Sequence, residues 1–183
     1  MERSIGLLEL KSIPAGIETA DAVLKAANVE LLQATPVCPG KYVVIISGNV
    51  GAVKSAMERG HQTAGVFLVG EHTIENVHPS VPAAIVGTAD IGSVASLGVV
   101  ETITALTSVM VGDIAAKAAN VRLMEIRLAR GLGGKGFVLL TGEVSAVRAA
   151  VRSAVQSLAD TGEITSTCVI PSPHKGLIDE LSN

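Results

Sequence analysis

Ser4–Leu10 (SIGLLEL) is a short apolar run broken by one acid, and it reads as a buried strand. Apolar residues then fall at helical spacing, with Ile17, Ala20, Leu24 and Ala27 on one stripe, and they predict a helix over roughly Gly16–Ala27. Val29–Val37 (VELLQATPV) alternates loosely and predicts a second strand. A Gly/Pro loop leads into Lys41–Ser47 (KYVVIIS), whose β-branched residues predict a third. Asn49 can cap the helix that follows. A last strand ending at Val77 and a short proline-led helix complete the pattern.

The same pattern then runs a second time. SLGVVET at Ser96–Thr102 repeats SIGLLEL, and DIAAKAANVRL at Asp113–Leu123 repeats DAVLKAANVEL at Asp21–Leu31, both at an offset of 92. GKGFVLLTGEVSAV at Gly134–Val147 repeats GKYVVIISGNVGAV at Gly40–Val53 at an offset of 94, so the second copy has two extra residues in the intervening loop. ENVHPSV and CVIPSPH match loosely near the two ends. In the second copy Val147, Val151, Ala154 and Leu158 define one helix face, and its last strand ends at Ile170. The order β-α-β-β-α-β in each copy predicts an α/β (α+β) chain of two ferredoxin-like domains, residues 1–90 and 91–183, joined near Ala89–Ala95. Each is a four-stranded antiparallel sheet with helices on one face.

Composition narrows the class. The chain has 48% hydrophobic and 17% charged residues, which points to surface buried against other subunits. With no Trp, one Tyr and two Phe, its core is packed by small branched side chains. A net charge of -3 with no basic, aromatic-laced stripe argues against a nucleic-acid partner. No apolar run reaches the ~20 residues of a membrane helix, and the charged start MERSIGLLEL does not read as a signal peptide. Two cysteines, Cys38 and Cys168, make no disulfide framework, and a reducing cytosolic setting fits.

Gly131–Gly136 (GLGGKG) satisfies the dinucleotide pattern G-x-G-x-x-G, but a strand follows it where a pyrophosphate needs a helix N-terminus. It reads as an open strand–strand loop. No Ser/His/Asp or paired-carboxylate constellation stands out, and an enzyme is not expected. Glu9 and Glu101 recur at equivalent positions, which argues structure before catalysis. His61, His72, His78 and His174 match no metal-ligand spacing and read as surface or edge residues. Cys168, in a late strand, reads as a buried small hydrophobe.

The opening GLLEL/GVVET, the D-x-x-x-K-A-A-N-V helix end and the glycine loop leading into a strand and G-x-V-x-A-V all occur twice, unpermuted, across nearly the whole chain. Together they resemble the BMC domain of bacterial microcompartment shell proteins, in tandem. The resemblance implies a trimer with pseudohexameric symmetry that packs edge to edge with other BMC shell proteins, in the shell of a microcompartment in the cytoplasm. It places Lys25 and Asn28, with Lys117 and Asn120, along the tile edge. It makes Val37, Cys38, Pro39 and Gly40, with Leu132, Gly133 and Gly134, the central pore loops. On that reading three Cys38 thiolates approach one axis. The resemblance further implies that they hold a [4Fe-4S] cluster, one per trimer, with electron transfer across the shell and redox enzymes of the compartment lumen among the partners, as in compartments for propanediol utilisation. Two alternatives stay open from the residues themselves. Cys38 could line a cluster-free pore for metabolites or cofactors, or the chain could be a free ferredoxin-like trimer that binds a small molecule at subunit clefts.

Overall fold

The computed structural model describes residues 3–181; residues 1, 2, 182 and 183, the outer ends of the two repeats, lie outside them. The first repeat runs β1 (Ser4–Leu10), α1 (Ile13–Ala26), β2 (Glu30–Val37), β3 (Lys41–Gly48), α2 (Val50–Ala64), β4 (Leu68–Ile74) and α3 (Ser80–Val86). The second runs β5 (Ser96–Thr102), α4 (Ala105–Ala118), β6 (Arg122–Arg127), β7 (Gly136–Thr141), α5 (Val144–Ser157), β8 (Ile164–Pro171) and α6 (Lys175–Leu181).

Each repeat forms one antiparallel sheet, in the orders β2-β3-β1-β4 and β6-β7-β5-β8. This is the ferredoxin-like arrangement expected from the element order. Even the irregularities repeat. Register shifts fall at Glu9/Leu10 and Leu31/Gln33 in one sheet and at Glu101/Thr102 and Leu123/Glu125 in the other.

Local chemistry starts the helices where the sequence says. The Asn49 side chain accepts the Ala52 N–H at 2.8 Å, and Thr104 Oγ1 accepts the Thr107 N–H at 3.1 Å. Each cap satisfies one of the amide groups that a helix start leaves over. The face of α5 is as expected: Val147, Val151, Ala154 and Leu158 are all buried.

The stripe expected on α1 is met only in part: Ala20 is buried and Ala27 packs on the core, but Ile17 and Leu24 do not. Gly16, Thr19, Ala20 and Val23 face the sheet, while Ile17 and Leu24 are exposed. Packing against Tyr42 decides this. The helix must lie where residue 16 has no side chain, since a Cβ there would stand 2.4 Å from the Tyr42 ring. The second repeat solves the same crossing the other way round. Ser108 takes the helix position, and Gly136 takes the strand position opposite it; a Cβ on Gly136 would meet Ser108 at 2.8 Å.

The chain separates into two compact units that do not follow the repeats. One holds the described residues through Val77 together with Ala129–Gly134; the other holds His78–Leu128 and the described residues from Lys135 onward. Residues 78–90, assigned to the first domain from the repeat, thus group with the second unit. The reason is α3, which packs on β6 and α4 and buries Val81, Ala84 and Ile85.

Candidate functional site

The loop after β2 and the loop Ala129–Gly134 meet in the first unit. Cys38 donates its backbone N–H to the Ala129 carbonyl at 3.0 Å. Arg130 Nη2 donates to the buried Thr35 Oγ1 at 2.5 Å. Gly134 comes so close that a Cβ would stand 3.4 Å from Pro39 Cδ and 3.5 Å from the Cys38 carbonyl oxygen. Gly134 also has φ +97, a backbone that side chains disfavour. The predicted loop residues Val37, Cys38, Pro39 and Gly40 are therefore brought together with Gly134. At the loop tips the surroundings are open, for a Cβ at Gly40, Gly131 or Gly133 would meet nothing within 4 Å.

Cys38 itself is half-buried, with its backbone pinned by a second loop. Among the described residues no three His, Cys, Asp or Glu side chains gather to hold a metal. One chain thus offers one soft donor at this place. Cys168 corrects its expectation: it is exposed on β8, opposite Val99. Strand β8 is an outer strand with most of its residues open to solvent, so a small apolar side chain there need not be core.

Just behind each loop sits a duplicated ion pair that sequence reading left without a partner. Lys41 Nζ meets Glu9 Oε1 at 3.2 Å, and Lys135 Nζ meets Glu101 Oε1 at 2.9 Å. Both lysines follow the loop glycine, and both acids lie on the central strand. The recurrence of a Gly-Lys pair opposite a strand acid was the available signal. The Glu101 carboxyl is held below its ordinary range, first by the Thr165 hydroxyl at 2.5 Å and then by Lys135. Such a lowered group adds stability above its unfolded value, and that stability is lost as pH falls through the folded one. Thr165→Val is expected to move the Glu101 titration up toward the ordinary carboxylate range, as followed by carboxyl NMR.

The predicted edge residues lie at equivalent helix ends. Lys25 pairs with Asp21 at 2.6 Å and Lys117 with Asp113 at 2.7 Å. Asn28 and Asn120 follow in the turns after α1 and α4. His61 pairs with Glu71 at 3.0 Å, and His78 Nδ1 is 2.8 Å from the Ser80 hydroxyl.

The family model for the BMC domain matches twice, at residues 4–77 and 96–173. The chain belongs to the BMC-domain family. Among BMC proteins, the bacterial microcompartment shell protein PduT of Citrobacter freundii is 40% identical over 177 residues, 97% of this chain and 96% of that one. The shell protein PduA of the same organism is 39% identical over 84 residues, 44% of this chain and 88% of its own length. A crystal structure of a microcompartment protein from Desulfitobacterium hafniense DCB superposes with a TM-score of 0.94 at 44% identity, covering 98% of this chain and 99% of that one. That less than half of this chain covers most of PduA agrees with two BMC copies here.

Proposed function

We propose that this chain is a structural tile of a bacterial microcompartment shell in the cytoplasm. Three copies close into a pseudohexamer, and three Cys38 thiolates converge at its centre to hold one [4Fe-4S] cluster. One observation carries the cluster reading. The two equivalent loops differ, with Cys38 in one and Leu132 in the other, and the thiol-bearing loop is fixed from behind by Ala129 and Arg130.

The residues suit that group only across chains. A single thiol cannot hold a metal centre; three soft thiolates can take three irons of a [4Fe-4S] cube, leaving the fourth iron to a small or exogenous ligand. When bound, such a cluster supplies one-electron transfer. Ala129 and Gly134 hold the loop that presents the sulfur. The redox enzymes of the lumen are the proposed partners for electrons. Lys25 and Lys117, each at a helix end, are proposed to lie along neighbouring tiles, laying their stems on the contact. Catalysis by the chain itself forms no part of the reading.

Iron and sulfide analysis with EPR, on protein prepared without oxygen, tests the proposal. Wild type is expected to carry about four irons and four sulfides per three chains, the content of one such cluster. Cys38→Ser is expected to carry neither and to remain assembled. Wild type that binds no iron after anaerobic reconstitution removes the cluster and leaves the pore reading, in which Cys38 lines a passage for small molecules.

A further inference from the structure

Helix α2 and strand β4 leave a groove between them on the first unit, with a volume of about 680 Å³. Lys54, Met57, Glu58 and His61 line it from α2; Glu71 and Thr73 line it from β4, with Glu75 just beyond the strand. Register puts these strand residues on the helix-covered face. Glu71 stands opposite Leu8, which belongs to the core under the helices. Thr73 stands opposite Gly6, where a Cβ would meet Met57 Sδ at 2.6 Å. At one end His61 Nδ1 lies 3.0 Å from Glu71 Oε1 and bridges helix to strand.

Two features of the groove point to the same kind of occupant. The first is the strand edge. β4 is an outer strand of its sheet, and among the described residues it pairs with β1 alone. Such an edge presents a row of unpaired N–H and C=O groups, which an extended segment can take as a further strand. The second is charge. The groove sets three carboxylates, Glu58, Glu71 and Glu75, against one lysine. Among the described residues Glu58 and Glu75 have no ion-pair partner. Side chains of an added strand alternate, so every second one would stand beside Glu71, Thr73 and Glu75 on the α2 side. The second repeat lacks this combination. Arg152 and Val155 stand where α2 has Glu58 and His61, and Thr167 and Pro171 stand where the first repeat has Glu71 and Glu75. Pro171 has no N–H to offer a neighbouring strand.

We infer that an extended peptide segment with lysine or arginine at alternate positions adds as a fifth strand to the outer edge of β4, its cations meeting Glu58, Glu71 and Glu75. No two of the 14 Lys and Arg residues of this chain stand two positions apart, so the segment belongs to another protein. Residues 71–75 extend about 13 Å, the reach of five strand residues. No residue of the groove belongs to the loops around Cys38, and the inference does not depend on the cluster or on the number of copies in a ring.

The test titrates the full-length chain into a fluorescein-labelled hexapeptide that alternates lysine and valine. Saturable anisotropy is expected, and the bound peptide is expected to slow amide exchange at residues 71–75 by at least about tenfold. The same peptide with proline in place of each valine keeps the charge and loses the N–H groups, so it should bind at least about tenfold more weakly. Glu58→Lys, at an exposed position on α2 and with circular dichroism unchanged, should also weaken binding at least about tenfold, since it sets a like charge against the peptide. No saturable binding overturns the inference. A proline peptide that binds as tightly overturns it too, by showing a groove that holds any cation through charge alone. Protection that falls outside residues 71–75, or a Glu58→Lys chain that binds as wild type does, places the peptide elsewhere and has the same consequence.

Discussion

Replacing Lys41 by Met should destabilise the protein by about 2–4 kcal/mol, whereas Lys135→Met should leave the urea midpoint unmoved within error. The two lysines are equivalent by sequence and each meets a strand glutamate, so a count of ion pairs predicts equal effects. Burial separates them. Glu9 is 3% exposed and Lys41 25%, against 36% and 51% for Glu101 and Lys135. Removing one member of a buried pair leaves an uncompensated charge, which costs about 3–5 kcal/mol. The partial exposure of Lys41 lets water repay some of that. An exposed pair is screened, and its loss is close to silent. Replacing both partners, Glu9→Leu with Lys41→Met, should recover most of the stability because no charge is left buried. Midpoints are to be compared at one chain concentration, since association shifts apparent stability. Equal losses for Lys41→Met and Lys135→Met would show that burial of Glu9 is not what matters.

Gly16→Ser should be the most damaging small substitution in α1, and Tyr42→Gly should partly rescue it. A Cβ at residue 16 would stand 2.4 Å from Tyr42 Cγ and 2.5 Å from its Cβ. The Tyr42 Cβ is fixed to the strand, so rotation of the ring does not relieve the contact. Overpacking of this kind costs typically 1–3 kcal/mol, and the upper end, about 3 kcal/mol, is expected here. Tyr42→Gly alone empties a buried aromatic site, a loss of about 3–5 kcal/mol by analogy with truncation to Ala. The double variant recreates the Ser108/Gly136 solution of the second repeat, where the same backbone crossing is already packed. Its loss should fall short of the sum of the singles by about 1–3 kcal/mol, the range for residues in contact. Strict additivity in denaturant unfolding would mean that the crossing is not set by this pair.

What the sequence could and could not show follows from where each feature gets its information. The repeat, the strand at Lys41–Ser47, the Asn49 cap and the α5 face depend on residues close together in the chain, and all are found. The α1 stripe differs from the expected one because Gly16, Thr19 and Val23 share the buried face with Ala20, while Ile17 and Leu24 are exposed. Periodicity alone does not say which of two apolar faces meets the sheet; Tyr42, far along the chain, does. The boundary at residue 90 followed the repeat, while the contacts of α3 follow the second unit. Cys168 looked like core because free cysteines usually are, and only the position of β8 at the sheet edge shows otherwise. At the site, the unequal loops were visible as Cys38 against Leu132. The grip of Ala129 and Arg130 on the Cys38 loop joins residues 91 and 95 positions apart, and nothing in the local pattern announces it.

The difference between the Cys38 loop and the Leu132 loop also bears on why the repeat exists within one polypeptide. In a ring of six identical single-domain subunits, a mutation in the loop is made at every position at once, so a cysteine introduced there is present six times. Joining two copies in one gene lets each loop change alone. In the proposed trimer a thiol would then stand at alternate loop positions with glycines between them, while the two BMC copies per chain keep the outline of a sixfold tile.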